Sequence, residues 1–179
     1  MRKWTASLTF ALTVGLVLVG VAQAQKGGKA AAKPTTLTPQ DYLEIRQLVA
    51  RYAYAVDTGA DNGGVYASLF ASDGAFLDRA GRATTGFENL AALARRNTRG
   101  QQSAFHFIMN HVIEPSAGGA TGKEYLVQLR MGEGERPNDI FGGGHYEDIY
   151  VKTPDGWRFK QRQFLPSERP PPRQPAAAR

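Results

Sequence analysis

Asp57 follows Tyr52, Ala53, Tyr54, Ala55 and Val56 at the end of an apolar helical run. A carboxylate partly shielded from water there could serve as a general base or hold and charge-stabilise a histidine. The bland alternative is an Asp turned to solvent, or one binding its own backbone in a turn. Negative charge is unfavourable at a helix C-terminus, so its presence there asks for a reason. His106, between Phe105 and Phe107, opens an extended run. Strand alternation puts it on one face with Ile108, Asn110 and Val112, and His111 on the other. Pattern alone makes His106 a hydrogen-bonded core residue. His145 follows Gly142-Gly143-Gly144, a run suited to a bulge or to close approach of a ligand or backbone. No helix follows it and the Lys-Ser/Thr spacing is absent, so it is not a phosphate loop. His145, Tyr146 and Asp148 are candidates to line a pocket, and Arg162 to bind an acidic substrate group. Three histidines on two strands, with no Asp or Glu at ligand spacing, argue against a metal site.

These side chains must be positioned by local elements that the sequence marks. Thr38 reads as an N-cap, with Pro39 at the first helical position and Asp41 near the positive end of the dipole. Tyr42, Ile45, Leu48, Val49, Tyr52, Ala53 and Val56 repeat at three and four residues, which predicts a long amphipathic helix ending near residues 57–59. After the Asp61-Asn62-Gly63-Gly64 turn, Val65, Leu69 and Phe70 predict a second helix closed by Asp73-Gly74. Short strands are expected at 75–78 and 82–85, and a third helix from Gly86. Long strands are expected at 103–114, 124–131, 141–152 and 157–165, with Thr153-Pro154-Asp155-Gly156 turning the last pair. Helices first and a meander of antiparallel strands after them is an α+β order.

Arg2 and Lys3, an uncharged apolar run over residues 6–20, and Ala22-Gln23-Ala24 have the layout of a secretion signal cleaved after Ala24. The run is shorter than the roughly 20 residues that span a bilayer, so no stable membrane insertion is expected after cleavage. The expectation is an exported protein, periplasmic or extracellular. It consists of a signal (1–24), a linker (25–36), one domain (37–166) and a Pro/Arg/Ala-rich tail (167–179). With no cysteine in 179 residues, the disulfide framework, the thiolate metal site and the cysteine nucleophile are excluded. The formal charge of +6 points at first to nucleic acid. Yet eight basic residues and only Glu168 lie outside 37–166, which leaves the domain at −1. The basicity belongs to the ends of the chain, and no nucleic-acid partner is expected.

Four stretches together carry a family resemblance: Ile45 to Asp57 with Tyr66-Ala67-Ser68-Leu69-Phe70; Asp73-Gly74-Ala75-Phe76; His106-Phe107-Ile108-Met109-Asn110; and His145-Tyr146-Glu147-Asp148 leading to Asp155-Gly156-Trp157-Arg158-Phe159. In order and spacing the chain resembles the nuclear transport factor 2-like, or SnoaL-like, superfamily of polyketide cyclases, scytalone dehydratase and bile-acid dehydratases. The resemblance implies a cone-shaped, curved antiparallel sheet closed by the N-terminal helices (a cystatin-like roll), a small apolar ligand, and a homodimer formed through exposed sheet faces. It also implies that Tyr52, Asp57 and His106 match the dehydratase branch's catalytic positions, in a metal-free and cofactor-free lyase or isomerase. Helical geometry instead favours Tyr54 as the neighbour of Asp57, because five residues turn a helix through about 140° of misalignment and three through about 60°. Both tyrosines stay open, as does ordinary core packing for either. The chain departs from scytalone dehydratase, whose second catalytic histidine would fall near Leu129 to Met131 and one of whose tyrosines near Val56. A non-catalytic ligand-binding or dimerisation module on the same fold is the alternative.

Overall fold

The first helix forms where its caps put it. In the computed structural model, which describes residues 36–100, 104–132, 135 and 137–167, α1 spans Pro39–Thr58. The Asp41 N–H donates to Thr38 Oγ1 at 3.2 Å, and Asp41 Oδ2 accepts the Thr38 N–H at 2.9 Å, so two otherwise orphaned donors are satisfied reciprocally. Gly59, at φ 59°, stops the helix in the left-handed conformation. Ile45, Leu48, Val49, Tyr52, Ala55 and Val56 form the buried stripe. The expected signal, the linker up to residue 35 and the tail from residue 168 lie outside the described residues. Among the described residues no helix is long and apolar enough to cross a membrane.

A short 3-10 turn leads into α2 (Gly64–Ser68), and the chain then extends at Phe70 into β1 (Phe70–Leu77). The expected helix stop at Asp73-Gly74 is therefore an irregularity inside a strand. The register slips between Phe70 and Ala75, and a Cβ on Gly74 would lie 2.7 Å from the Phe159 carbonyl oxygen and 2.9 Å from the Ala71 backbone. Glycine is needed there because two backbones approach too closely for a side chain. β2 (Ala83–Thr85) and α3 (Phe87–Gly100) follow. The long strands are β3 (Ala104–Ser116), β4 (Gly119–Arg130), β5 (Asp139–Thr153) and β6 (Gly156–Pro166).

The six strands form one curved, unclosed sheet in the order β2-β1-β6-β5-β4-β3. The β3–β4 and β5–β6 hairpins match expectation, but the sheet is not wholly antiparallel, because β1 runs parallel to β6. That seam joins the first strand to the last, and no hairpin signal marks it. The pairing also sorts the side chains. Gly122, Glu124, Leu126 and Gln128 of β4 share a face with Tyr146, Asp148 and Tyr150 of β5 and with Phe159, Arg162 and Phe164 of β6. Lys123, Tyr125 and Val127 share the opposite face with His145, Glu147 and Ile149.

The N-terminal end of α1 is fastened to the β5–β6 hairpin by Asp41, whose Oδ1 accepts from Lys152 Nζ at 2.6 Å and from the Trp157 indole N–H at 2.9 Å. The Lys152 ammonium, the Thr38 donors and the indole hold this carboxyl well below the usual carboxylate range.

Candidate functional site

At its other end α1 delivers Asp57 to the start of β3. Asp57 Oδ1 lies 2.5 Å from His106 Nδ1, and Oδ2 accepts the His106 backbone N–H at 3.1 Å. One carboxylate thus holds both the ring and the main chain of the same residue. Its charge at a helix C-terminus is offset by two donors, which answers the question its position raised. Both side chains are nearly shielded from water, at 6 % exposed for His106 and 11 % for Asp57.

The other ring nitrogen is also occupied. Gln128 Nε2 lies 2.9 Å from His106 Nε2, and the two residues are direct cross-strand partners. Gln128 escaped the sequence reading because of a bulge. Counting back along a regular hairpin from Ser116 opposite Gly119 would place Leu129 opposite His106. The register slips between Met109 and Val112, so Gln128 takes that place instead. Asn110 sits at the slip with φ 58°, the left-handed conformation that a non-glycine residue seldom adopts. The same slip corrects the expected faces of β3. Beyond it the half-buried residues are His111 and Ile113, while Asn110 and Val112 are exposed. Asn110 therefore does not share the face of His106.

The glycine run of β5 makes room for this arrangement. Gly142 pairs with Gln128, and a Cβ on Gly142 would run into the Gln128 side-chain oxygen. A Cβ on Gly144 would meet the Phe164 ring at 2.8 Å. His145 pairs with Tyr125 and Leu165 on the outer face, away from Tyr146 and Asp148, so it does not join them in lining the inner face.

Arg162 is the most deeply enclosed charge among the described residues, at 0 % exposed. Its Nε and Nη2 donate to the two oxygens of Asp148 at 2.9 and 2.6 Å, and Nη2 also meets Glu124. The guanidinium carbon lies 4.1 Å from the Tyr52 ring centre and 4.2 Å from those of Tyr146 and Phe159, so aromatic faces enclose the cation. With its charge committed inside the protein, Arg162 does not offer a guanidinium to a substrate carboxylate. Tyr52 and Tyr146 belong to this cage, and burial raises both phenols. Tyr54 lies on the far side of α1, 76 % exposed, apart from Asp57 and His106.

One arginine cannot neutralise two carboxylates. Asp148 takes the bidentate grip and a further 2.7 Å bond from the Tyr150 hydroxyl, leaving Glu124 as the poorer-solvated partner. Burial, against the pull of Arg162, pushes the Glu124 carboxyl up to about 9. A raised carboxyl stabilises the fold fully below its ordinary pKa, and that contribution is lost as pH rises through the folded value. Stability should therefore fall as pH rises between about 4.5 and about 9. Glu124→Gln should flatten that window in urea midpoints measured across it, and an unchanged slope would assign the proton elsewhere.

A sequence profile of the SnoaL-like domain matches residues 38–163. No protein of curated function matches the sequence. A Nostoc punctiforme protein of unknown function with a cystatin-like fold is similar at 26 % identity and TM-score 0.64, covering 76 % of this chain and 98 % of its own. A nuclear transport factor 2-like protein of Novosphingobium aromaticivorans, also cystatin-like, is 23 % identical at TM-score 0.64, covering 71 % and 82 %. A proposed scytalone dehydratase from the same organism is 22 % identical at TM-score 0.61, covering 72 % and 85 %.

Proposed function

Since this chain belongs to the SnoaL-like domain family, we propose that it is a cofactor-free lyase or isomerase acting on a small, largely apolar compound that carries a hydroxyl or carbonyl group. The observation that carries this reading is the shielded Asp57–His106 contact, in which the carboxylate holds Nδ1 and leaves Nε2 as the atom able to exchange a proton. In an elimination, Nε2 takes a proton from a substrate carbon, the C–H electron pair becomes the new double bond, and the C–O pair leaves on oxygen. That oxygen takes the proton back from Nε2 and departs as water. In an isomerisation the proton returns to a different carbon. Asp57 stays ionised throughout and stabilises the transient imidazolium. To reach Nε2 a substrate has to displace the Gln128 amide, which stands 2.9 Å from that nitrogen, and a hydroxyl can replace the hydrogen bond so lost, so hydroxyl compounds come first in a ligand search.

A non-catalytic binding module is the second reading, favoured by the Gln128 amide that already closes the hydrogen-bond chain at Nε2. A thermal-shift screen of hydroxylated steroid-like and polyketide-like compounds, followed by turnover assays of each hit, separates the two. Water loss or double-bond migration that disappears in a folded His106→Ala protein supports the enzyme. Tight binding with no turnover removes it.

We also propose a homodimer through the outer face of the sheet. Phe107, Tyr125 and Ile140 are 48 %, 59 % and 70 % exposed there, beside Phe105, Met109 and Ile149, an apolar expanse that a monomer rarely leaves bare. Sedimentation should give a two-copy species that Tyr125→Glu splits, and a monomer in the parent protein would overturn the assignment.

A further inference from the structure

Among the described residues, Gln128 is the polar side chain that meets His106 on the side Asp57 does not hold, and neither the family match nor the Asp–His contact gives it a task. With Nδ1–H given to Asp57, a neutral ring presents a lone pair at Nε2, to which an amide N–H donates. If the ring gains a second proton, the same amide can rotate about its last bond and accept it with Oε1. A glutamine can thus follow both protonation states from one position. A carboxylate there would serve only the protonated ring, and an aliphatic side chain neither. The place for the amide is built into the sheet: the β3 bulge brings residue 128 opposite His106, and Gly142 leaves out the Cβ that would collide with its oxygen.

We propose that Gln128 is a positioning residue that caps His106 Nε2 and holds the ring in place through either protonation state, with Gly142 as the gap that admits it. The inference rests on the proton-transfer reading only for its catalytic consequence, since the cap itself is a property of the free protein.

The test is nitrogen-15 spectroscopy of the histidine rings in the intact protein at about pH 8, above the range in which imidazole ordinarily titrates. The His106 signals are identified by their loss in His106→Ala. The parent protein should show a protonated Nδ1 and a bare, hydrogen-bonded Nε2. Gln128→Glu should replace the bare-nitrogen signal with a protonated one. Gln128→Leu and Gly142→Ala should both shift the Nε2 signal towards that of an uncapped nitrogen, the second without altering residue 128. A proton on Nε2 and none on Nδ1 in the parent protein would overturn the proposal. So would a His106 spectrum that Gly142→Ala and Gln128→Glu leave unchanged. Should the glutamate variant fail to fold, the parent and Gly142→Ala spectra still decide. No substrate is needed, so a protein whose ring obeys Gln128 but shows no His106-dependent turnover keeps this inference and loses the enzymatic one.

Discussion

Arg162→Leu is expected to cost about 3–5 kcal/mol of stability, enough to leave much of a marginal domain unfolded. The loss comes mainly from what stays behind. Asp148 and Glu124 are both buried, and without the guanidinium the two carboxyls share a dry space in which the Tyr150 hydroxyl still bonds Asp148. Three aromatic faces also lose the cation packed between them. Replacing Arg162, Asp148 and Glu124 together by leucine should recover most of that loss, because no buried polar group is then left without its partner. Urea unfolding of both proteins checks the pair of expectations. A single variant within about 0.5 kcal/mol of the parent, the range of ordinary surface changes, would show that the cluster is wetter than its burial indicates.

Asp57→Asn should lower turnover of a confirmed substrate by roughly 10²–10⁴-fold while costing little in fold. Two donors face this side chain, the His106 N–H and the ring Nδ1–H. A carboxylate accepts both, whereas an amide offers one oxygen and one NH2 group. The ring can satisfy the amide only by taking its proton on Nε2 and accepting at Nδ1, which removes the lone pair that would receive a substrate proton. The asparagine protein should therefore fold, bind ligand and turn over poorly, with the ring proton moved between nitrogens in the same spectra. Parent-like turnover would remove Asp57 from the mechanism.

Local signals in the sequence located α1 and the β5–β6 hairpin because the cap at Thr38 and the turn at Thr153-Pro154-Asp155-Gly156 are written in adjacent residues. The faces of the sheet were less legible. In β4 the outward residues Lys123, Tyr125, Val127 and Leu129 include three apolar side chains and the inward Gly122, Glu124, Leu126 and Gln128 only one, so hydrophobic alternation points to the wrong side. In β3 an asparagine in the left-handed region changes the phase of every residue beyond it, without a glycine to announce the bulge. Asp57 and His106 could be picked out singly by type and position, and by resemblance as a pair. Gln128 could not, because its meeting with His106 depends on that unannounced residue. Arg162 was legible as a charge on the last strand, but its partners lie on β4 and β5, and only the completed sheet brings them together.

α1 ends in a carboxylate grip at both of its extremities, Asp41 on the β5–β6 hairpin and Asp57 on the edge strand β3. A helix fastened only at its middle would fray at its last turn and carry Asp57 away from the imidazole. Here the last turn cannot peel back without surrendering a shielded carboxylate–imidazole hydrogen bond, and the first turn cannot loosen without freeing the hairpin. Breathing of the site is thereby tied to the rarest openings of the domain, and amides along α1 should exchange with solvent about as slowly as those of the central strands. The Asp57–His106 contact would then owe its persistence to the frame that carries it and not to a mobile loop.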